Sequence, residues 1–230
     1  RLAARAADYF ELTKPRITLL VVITAAMGYM LAAPERFDAM LFFHTLVGTA
    51  LVCAGTSTLN EVLETGRDAR MRRTRQRPLP AGRIGTDAAL LYGVVLSLAG
   101  LAALACMVNL LAALVAGFTL AAYLFFYTPL KPRTWWCPGA GAVPGAMPPV
   151  IGWAAARGSL ESGAWALFAL LFAWQLPHFY AIAWMYREDY ARGGFPMLGV
   201  IDPTGRRTAV QIAGWSAALV PASLLPAWLG

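Results

Sequence analysis

"AMLFFHTLVGTALVCAGTSTLNEVLETGRDARMRRTRQRPLPAGRI", residues Ala39 to Ile84, changes character halfway along. Residues 39–59 are apolar apart from hydroxyls and His44. That run matches the roughly 20 residues that cross the hydrocarbon core of a bilayer as a helix. Asn60 to Ile84 then brings three acids and seven arginines together. An apolar helix that turns at once into charge of both signs reads as a membrane span leaving the bilayer, and that reading decides the fold class.

The rest of the chain extends it. Of 230 residues, 59% are hydrophobic and 13% charged, with a mean hydropathy of +0.57; soluble domains carry about a quarter charged residues. Apolar runs recur from end to end, at about 17–33, 39–59, 86–107, 109–127, 139–156, 163–185 and 208–229. These seven candidate spans predict an all-α polytopic transmembrane bundle, one membrane domain over residues 1–230. The first residue is Arg1, and nothing ahead of the first span reads as a secretory signal. The chain stops at Gly230 directly after an apolar run, which leads us to expect further C-terminal spans. Cys53, Cys106 and Cys137 are scattered without C-x-x-C spacing and read as free thiols.

The net charge of +7 has a topological explanation. Arg1, Arg5, Lys14 and Arg16 precede the first span, and the seven arginines of 60–85 follow the second. Lys131 and Arg133 follow the fourth span, and Arg187, Arg192, Arg206 and Arg207 follow the sixth, leaving Arg36 and Arg157 on the other side. The positive-inside rule therefore places the N-terminus and the three long connections in the cytoplasm. Basic residues tied to span ends do not form a soluble nucleic-acid face. The fifth span, "GAGAVPGAMPPVIGWAAA", carries Pro144, Pro148 and Pro149 among glycines. It is either kinked or broken against protein, or a close helix contact through small residues.

Chemistry concentrates at three places. Asn60, Glu64 and Asp68 stand at i, i+4 and i+8, one helical face if the second span runs on into the cytoplasm. An amide and two carboxylates suit Mg²⁺, which takes few carboxylates plus substrate phosphate oxygens. Arg70, Arg72, Arg73, Arg75 and Arg77 follow, with forked donors that fit phosphate. On spacing alone, an ordinary positive-inside loop with surface ion pairs explains the block more readily, and Gly66 weakens the helix between the acids. The second place is "WQLPHFYAIAWMYREDY", residues 174–190, where His178 sits inside an apolar span near Gln175, followed by Arg187, Glu188 and Asp189. A histidine there is a functional candidate, or else is bonded to Gln175 or a backbone carbonyl. His44 reads as structural. The third is "YTPLKPR", with Tyr127, Lys131 and Arg133; lysine neutralises diphosphate as a point charge. The many tryptophans and tyrosines fit interfacial belts, with a few available to shield a carbocation or cradle a flat ring.

The series "LTKPRIT", "NEVLETGRDARMRRTRQRPLPAGRI", "YTPLKPRT", "GAVPGAMPPVIGWAA" and "WQLPHFYAIAWMYREDYARGGFPML", from Leu12 to Leu198, resembles the protohaem IX farnesyltransferases. These haem O synthases are a branch of the UbiA superfamily of intramembrane prenyltransferases. The resemblance implies nine helices around a cytoplasm-facing cavity, so two beyond Gly230, in a bacterial inner membrane. It implies transfer of farnesyl from farnesyl diphosphate to a vinyl group of haem b, with addition of water, giving haem O for haem-copper oxidases. Asn60, Glu64, Asp68, Lys131 and His178 are then the catalytic set, with Glu64 and Asp68 holding Mg²⁺. Arg73, Arg77, Tyr127, Arg187 and Asp189 are the substrate-binding set, His178 and Arg187 being placed to meet haem or its propionates. Implied partners are farnesyl diphosphate, haem b, the bilayer and a haem-A synthase or oxidase-assembly protein, but no nucleic acid. Two departures stand out: Gly66 where relatives often carry an acid, and Cys137 where they tend to carry Asn. The competing readings are a quinone-precursor prenyltransferase, a transporter and a haem-binding assembly factor. A transporter predicts acids near the midplane and paired halves, whereas these acids cluster at the cytoplasmic mouth.

Overall fold

The computed structural model describes residues 2–32 and 37–228, and every regular element among them is a helix. A short helix α1 (Leu2–Leu12), not foreseen in the sequence, precedes the first span. The chain then turns at Lys14, whose φ of 48° lies in the left-handed region that side chains rarely occupy. Then come α2 (Pro15–Ala32), α3 (Ala39–Asp68) and α4 (Thr86–Met107). Next is α5 (Leu110–Ala121), prolonged by a π-helical turn, Ala122–Tyr127, and α6 (Thr128–Leu130). The remainder is α7 (Cys137–Gly145), α8 (Pro148–Arg157), α9 (Ser162–Met185), α10 (Arg187–Gly193), α11 (Leu198–Ile201) and α12 (Arg206–Trp228).

Among the described residues six segments, not the seven expected, are single helices long and apolar enough to cross a membrane. The correction falls on residues 139–156, which form α7 and α8 with a break at Ala146–Met147. Proline supplies the cause, since it donates no N–H and clashes with the preceding turn. Pro148 opens α8, where a missing N–H costs nothing. The break is sheltered: Ala142, Ala146, Val150 and Ala154 are wholly buried, the condition under which irregular backbone is tolerated at membrane depth. The second span runs to Asp68, past the expected 59, and Gly66 does not interrupt it. Arg36, one of the two basic residues assigned to the far side, lies outside the described residues. The three cysteines are free, as expected.

Lipid tails are as apolar as leucine, so helix association in a bilayer rests on close packing and polar ties. The α2–α8 contact shows the first. A methyl group on Gly28 would collide with the carbonyl of Pro149, and one on Gly152 with the carbonyl of Ala25. Gly55 meets Gly93 and Ser97 in the same way where α3 crosses α4. The second is seen at Asn109, whose side chain caps α5 through Ala112 N (2.8 Å) while its amide donates to the Ala154 carbonyl of α8 (2.9 Å). Asp38 caps α3, accepting from Met40 N and Leu41 N at 2.9 Å each. Leu19, Leu20, Leu98 and Leu114 stay exposed on the outer faces, where lipid covers them.

Candidate active site

The last three turns of α3 carry a polar face inside the protein. Asn60, Glu61, Glu64 and Asp68 are each buried to within a few per cent of complete. Steps of one, three and four residues keep all four within one side of a helix. The expected i, i+4, i+8 row is therefore real, and Glu61, absent from the sequence reading, belongs beside it. Glu61 with Glu64 and Asp68 makes an i, i+3, i+7 row, a signal present in the sequence.

Three segments converge on this face. Lys131, just after α6, places Nζ 2.9 Å from both carboxylate oxygens of Glu64. Burial works most strongly against its charge, but the Glu64 carboxylate, with Tyr123 and Tyr190 beside it, outweighs burial and holds the ammonium above the ordinary lysine range. The same ammonium lies over the rings of Phe195 and Tyr127, 5.1 and 5.7 Å from their centroids. Arg77, from the 69–85 connection, donates from Nη1 to Asp68 Oδ2 at 2.7 Å, and its Nε stands 3.8 Å from Glu61 Oε1. Lys14 reaches in from the α1–α2 corner, donating to Asn60 Oδ1 at 3.2 Å and lying 3.8 Å from Glu61. Its pKa is pushed down to about 8, chiefly by burial, against the opposing pull of Glu61. Thr128 accepts from the Asn60 amide at 3.1 Å and donates to the Tyr123 carbonyl at 2.9 Å. This second bond closes the π-helical turn onto the site. Sequence reasoning counted Lys14 only as a topogenic charge; its place directly before Pro15 was the available signal.

The face contains more carboxylate than the protein satisfies. Glu61 Oε2 is buried and has no hydrogen-bond partner among the described residues. Among those residues no three acids, histidines or cysteines converge closely enough to cage a metal by themselves. Hard oxygen donors in small number, one of them orphaned, fit an ion that completes its shell with water and substrate oxygens.

The remaining expected residues divide. Tyr127 joins the site, packed against Gly141 and beneath Lys131. Arg73 turns away from the acids, lying over Tyr186 and Tyr190, both 5.0 Å from ring centroid to guanidinium, and donating to the Tyr190 hydroxyl at 3.1 Å. Asp189 accepts from the backbone N–H of Arg72 (3.1 Å) and Arg73 (3.2 Å) and from Arg192 Nη1 (2.8 Å). It thereby fastens the 69–85 connection to α10. Burial raises its pKa, but these three donors outweigh burial and hold it below the ordinary aspartate range. Arg67 tightens the same junction through the Gly193 carbonyl (3.2 Å). Arg187 is exposed on α10, stacked over Trp184 at 4.7 Å. His178 is exposed on α9, stacked on Trp174 with ring centroids 5.1 Å apart and planes 17° apart. Gln175 instead bonds to the Leu171 carbonyl.

Buried acids facing buried cations at one mouth of a helical bundle can bind a polyanion and withdraw charge from it. Comparison with known proteins identifies the family. Residues 21–230 match the UbiA prenyltransferase family. The chain is 53% identical to protoheme IX farnesyltransferase of Solibacter usitatus, over 97% of this chain and 80% of that one. It is 47% identical to the protein of the same name from Salinibacter ruber, over 95% and 77%. A UbiA homolog from Archaeoglobus fulgidus, solved bound to DMAPP and Mg²⁺, shares the fold with a TM-score of 0.74 at 18% identity, covering 96% of this chain and 84% of that one.

Proposed function

The chain belongs to the UbiA prenyltransferase family, and from that membership we propose that it transfers the farnesyl group of farnesyl diphosphate to a vinyl group of haem b, giving haem O. The observation that carries the site assignment is the buried face of Asn60, Glu61, Glu64 and Asp68 met by Lys14, Arg77 and Lys131.

Glu64 and Asp68, with Glu61 and Asn60 beside them, would hold Mg²⁺. Bound there, the ion supplies Lewis-acid stabilisation of the charge that grows on the departing diphosphate. Lys131, Arg77 and Lys14 bind the diphosphate oxygens and neutralise the same charge as the allylic C–O bond lengthens. Asn60, held between Lys14 and Thr128, fixes the depth at which the diphosphate sits. The apolar interior receives the farnesyl chain and keeps water from its cation. The vinyl carbon then forms a bond to C1 of the farnesyl group. Water adds to the resulting cation beside the porphyrin and loses a proton, leaving a hydroxyethylfarnesyl substituent. Asp189 acts one step removed, fixing the connection that carries Arg73 and Arg77. The bundle lies in the bacterial inner membrane with its N-terminus and this mouth on the cytoplasmic side, the arrangement that the basic connections favour.

The test is mass spectrometry of products after supplying Mg²⁺ and farnesyl diphosphate with either haem b or 4-hydroxybenzoate. Haem O is the expected product; a prenylated benzoate and unchanged haem would transfer the assignment to the quinone branch. Glu64→Gln and Asp68→Asn should abolish turnover, whereas an assembly factor would keep its function with either.

A further inference from the structure

We infer that Arg83 is a positioning residue for Lys14, clamping α1 to the 69–85 connection so that the corner between α1 and α2 aims its ammonium into the acidic face. This rests on that face being the diphosphate site. The Arg83 guanidinium is divided among three acceptors from two segments. Nε donates to Asp8 Oδ1 at 2.7 Å and Nη2 to Glu11 Oε2 at 3.2 Å, while Nη1 donates to the Gln76 carbonyl at 2.7 Å. Asp8 and Glu11, at i and i+3, share one face of α1. A guanidinium presents its five donors in a fixed fork, so one side chain holds all three acceptors in one geometry.

The local fold prepares that grip. Gly82 takes a φ of 71°, a conformation that glycine enters without steric cost. Gly82 N and Arg83 N donate back to the Leu79 and Pro78 carbonyls at 3.0 and 2.9 Å. The chain therefore doubles back on itself and brings Arg83 against Gln76, the residue before Arg77. Leu79 and Ile84, on either side of this turn, pack with Leu12 of α1 and Ala89 of α4 in a buried cluster.

The link from Arg83 to Lys14 is short. Lys14 N donates to the Glu11 carbonyl at 3.0 Å, so the residue that Arg83 grips is the one on which the corner turns. The left-handed backbone at Lys14 is of the kind that persists only where its surroundings impose it. α1 cannot impose it alone, because a helix of 11 residues is marginal in isolation. Packing of Tyr9 and Leu12 holds α1 to the bundle; Arg83 sets how it is turned. The Arg83 side chain is 40% exposed, and ion pairs that exposed add little to global stability. Their contribution is the direction in which a neighbouring cation points.

The experiment measures Kd for farnesyl diphosphate, with Mg²⁺, on the full chain in nanodiscs, together with the unfolding midpoint. Arg83→Ala should weaken binding roughly tenfold, as for one lost charge-assisted contact, and leave the midpoint nearly unchanged. Asp8→Asn combined with Glu11→Gln releases the clamp from the other side and should give the same loss. If Arg83→Ala does not fold, that pair decides by the same criteria. In a Lys14→Met background, releasing the clamp should weaken binding no further, because residues that act through one contact are not additive. Equal affinity for wild type and the released variants overturns the inference and leaves the site reading standing. So does an equal loss with and without Lys14, since the effect would then not pass through that side chain. If wild type does not bind farnesyl diphosphate, the site reading fails and the inference falls with it.

Discussion

Lys131 and Glu64 face each other end to end, the ammonium 2.9 Å from each oxygen of the carboxylate and both side chains almost wholly enclosed. Each is the other's hydrogen-bonded counter-charge, and an incoming diphosphate that takes the lysine releases the carboxylate. Removing one partner strands the other in a poor dielectric, at about 3–5 kcal/mol. Lys131→Met and Glu64→Gln should each lower the unfolding midpoint of the detergent-solubilised protein. The double variant should regain much of that stability and none of the turnover. Equal midpoints for wild type and Lys131→Met would show that the pair is not buried in solution.

Lys14 supplies the pH dependence. Burial brings its pKa down to about 8, so it is charged below that pH and neutral above it. Unfolded, a lysine titrates near 10.4. Between these values the unfolded chain binds more protons, and this group makes stability rise with pH. Diphosphate binding changes the opposite way, because only charged Lys14 attracts it. The kcat/KM profile should fall as pH rises through about 8, and Lys14→Met should remove that limb while lowering the plateau.

Asp189 should behave as a fastening. Its pKa is depressed, since the backbone N–H groups of Arg72 and Arg73 and the Arg192 guanidinium outweigh burial. The stabilisation is complete above the unfolded value near 3.9 and is lost as pH falls through the lower folded value. The junction thus stays closed across neutral and mildly acidic pH. Asp189→Asn should loosen it at every pH, raise KM for farnesyl diphosphate by roughly tenfold, the equivalent of one hydrogen bond to a charged group, and expose the 69–85 connection to protease. A drop in kcat with KM unchanged would instead make Asp189 a participant in the chemistry.

Gly152 tests the packing. A single methyl group there meets the Ala25 carbonyl of α2, and backbone cannot step aside as a flexible side chain can. Overpacking of this kind costs about 1–3 kcal/mol. Gly152→Ala should lower the unfolding midpoint measurably, while Gly66→Ala, where nothing lies near the added methyl, should not lower it.

The spans could be read from hydropathy because the bilayer imposes one length and one solvent preference on each. The row Asn60, Glu64, Asp68 could be read because helical spacing is fixed. Glu61 stands outside that row and reaches the same face through the i, i+3 spacing to Glu64. Lys14 escaped because a lysine beside a span is already explained by topology, and nothing local shows that a left-handed corner aims it inward. The interruption between α7 and α8 was foreseen as a kink or break, but its position depends on which neighbours shelter the freed backbone. For Asp189 the sequence offered a carboxylate near the substrate; that its oxygens are taken by two amides of a distant segment is a purely tertiary fact.

The π-helical turn at Ala122–Tyr127 has a consequence for how this site can fail. It holds an extra residue per turn, and Thr128 bridges it to Asn60. Deleting one residue there other than Tyr127 would let the segment relax to regular helix with little rotation of Lys131, because six residues at about 80° each turn the chain nearly as far as five at about 100°. A deletion in the regular helix ahead of it, α5, has no such reserve and would swing Lys131 by about 100° around the axis. The ammonium would then face lipid or a neighbouring helix and leave Glu64. Spacing in α5 is thus as much a part of the active site as the residues beyond it, and a frame-preserving deletion there should be more damaging than one within the π-helical turn.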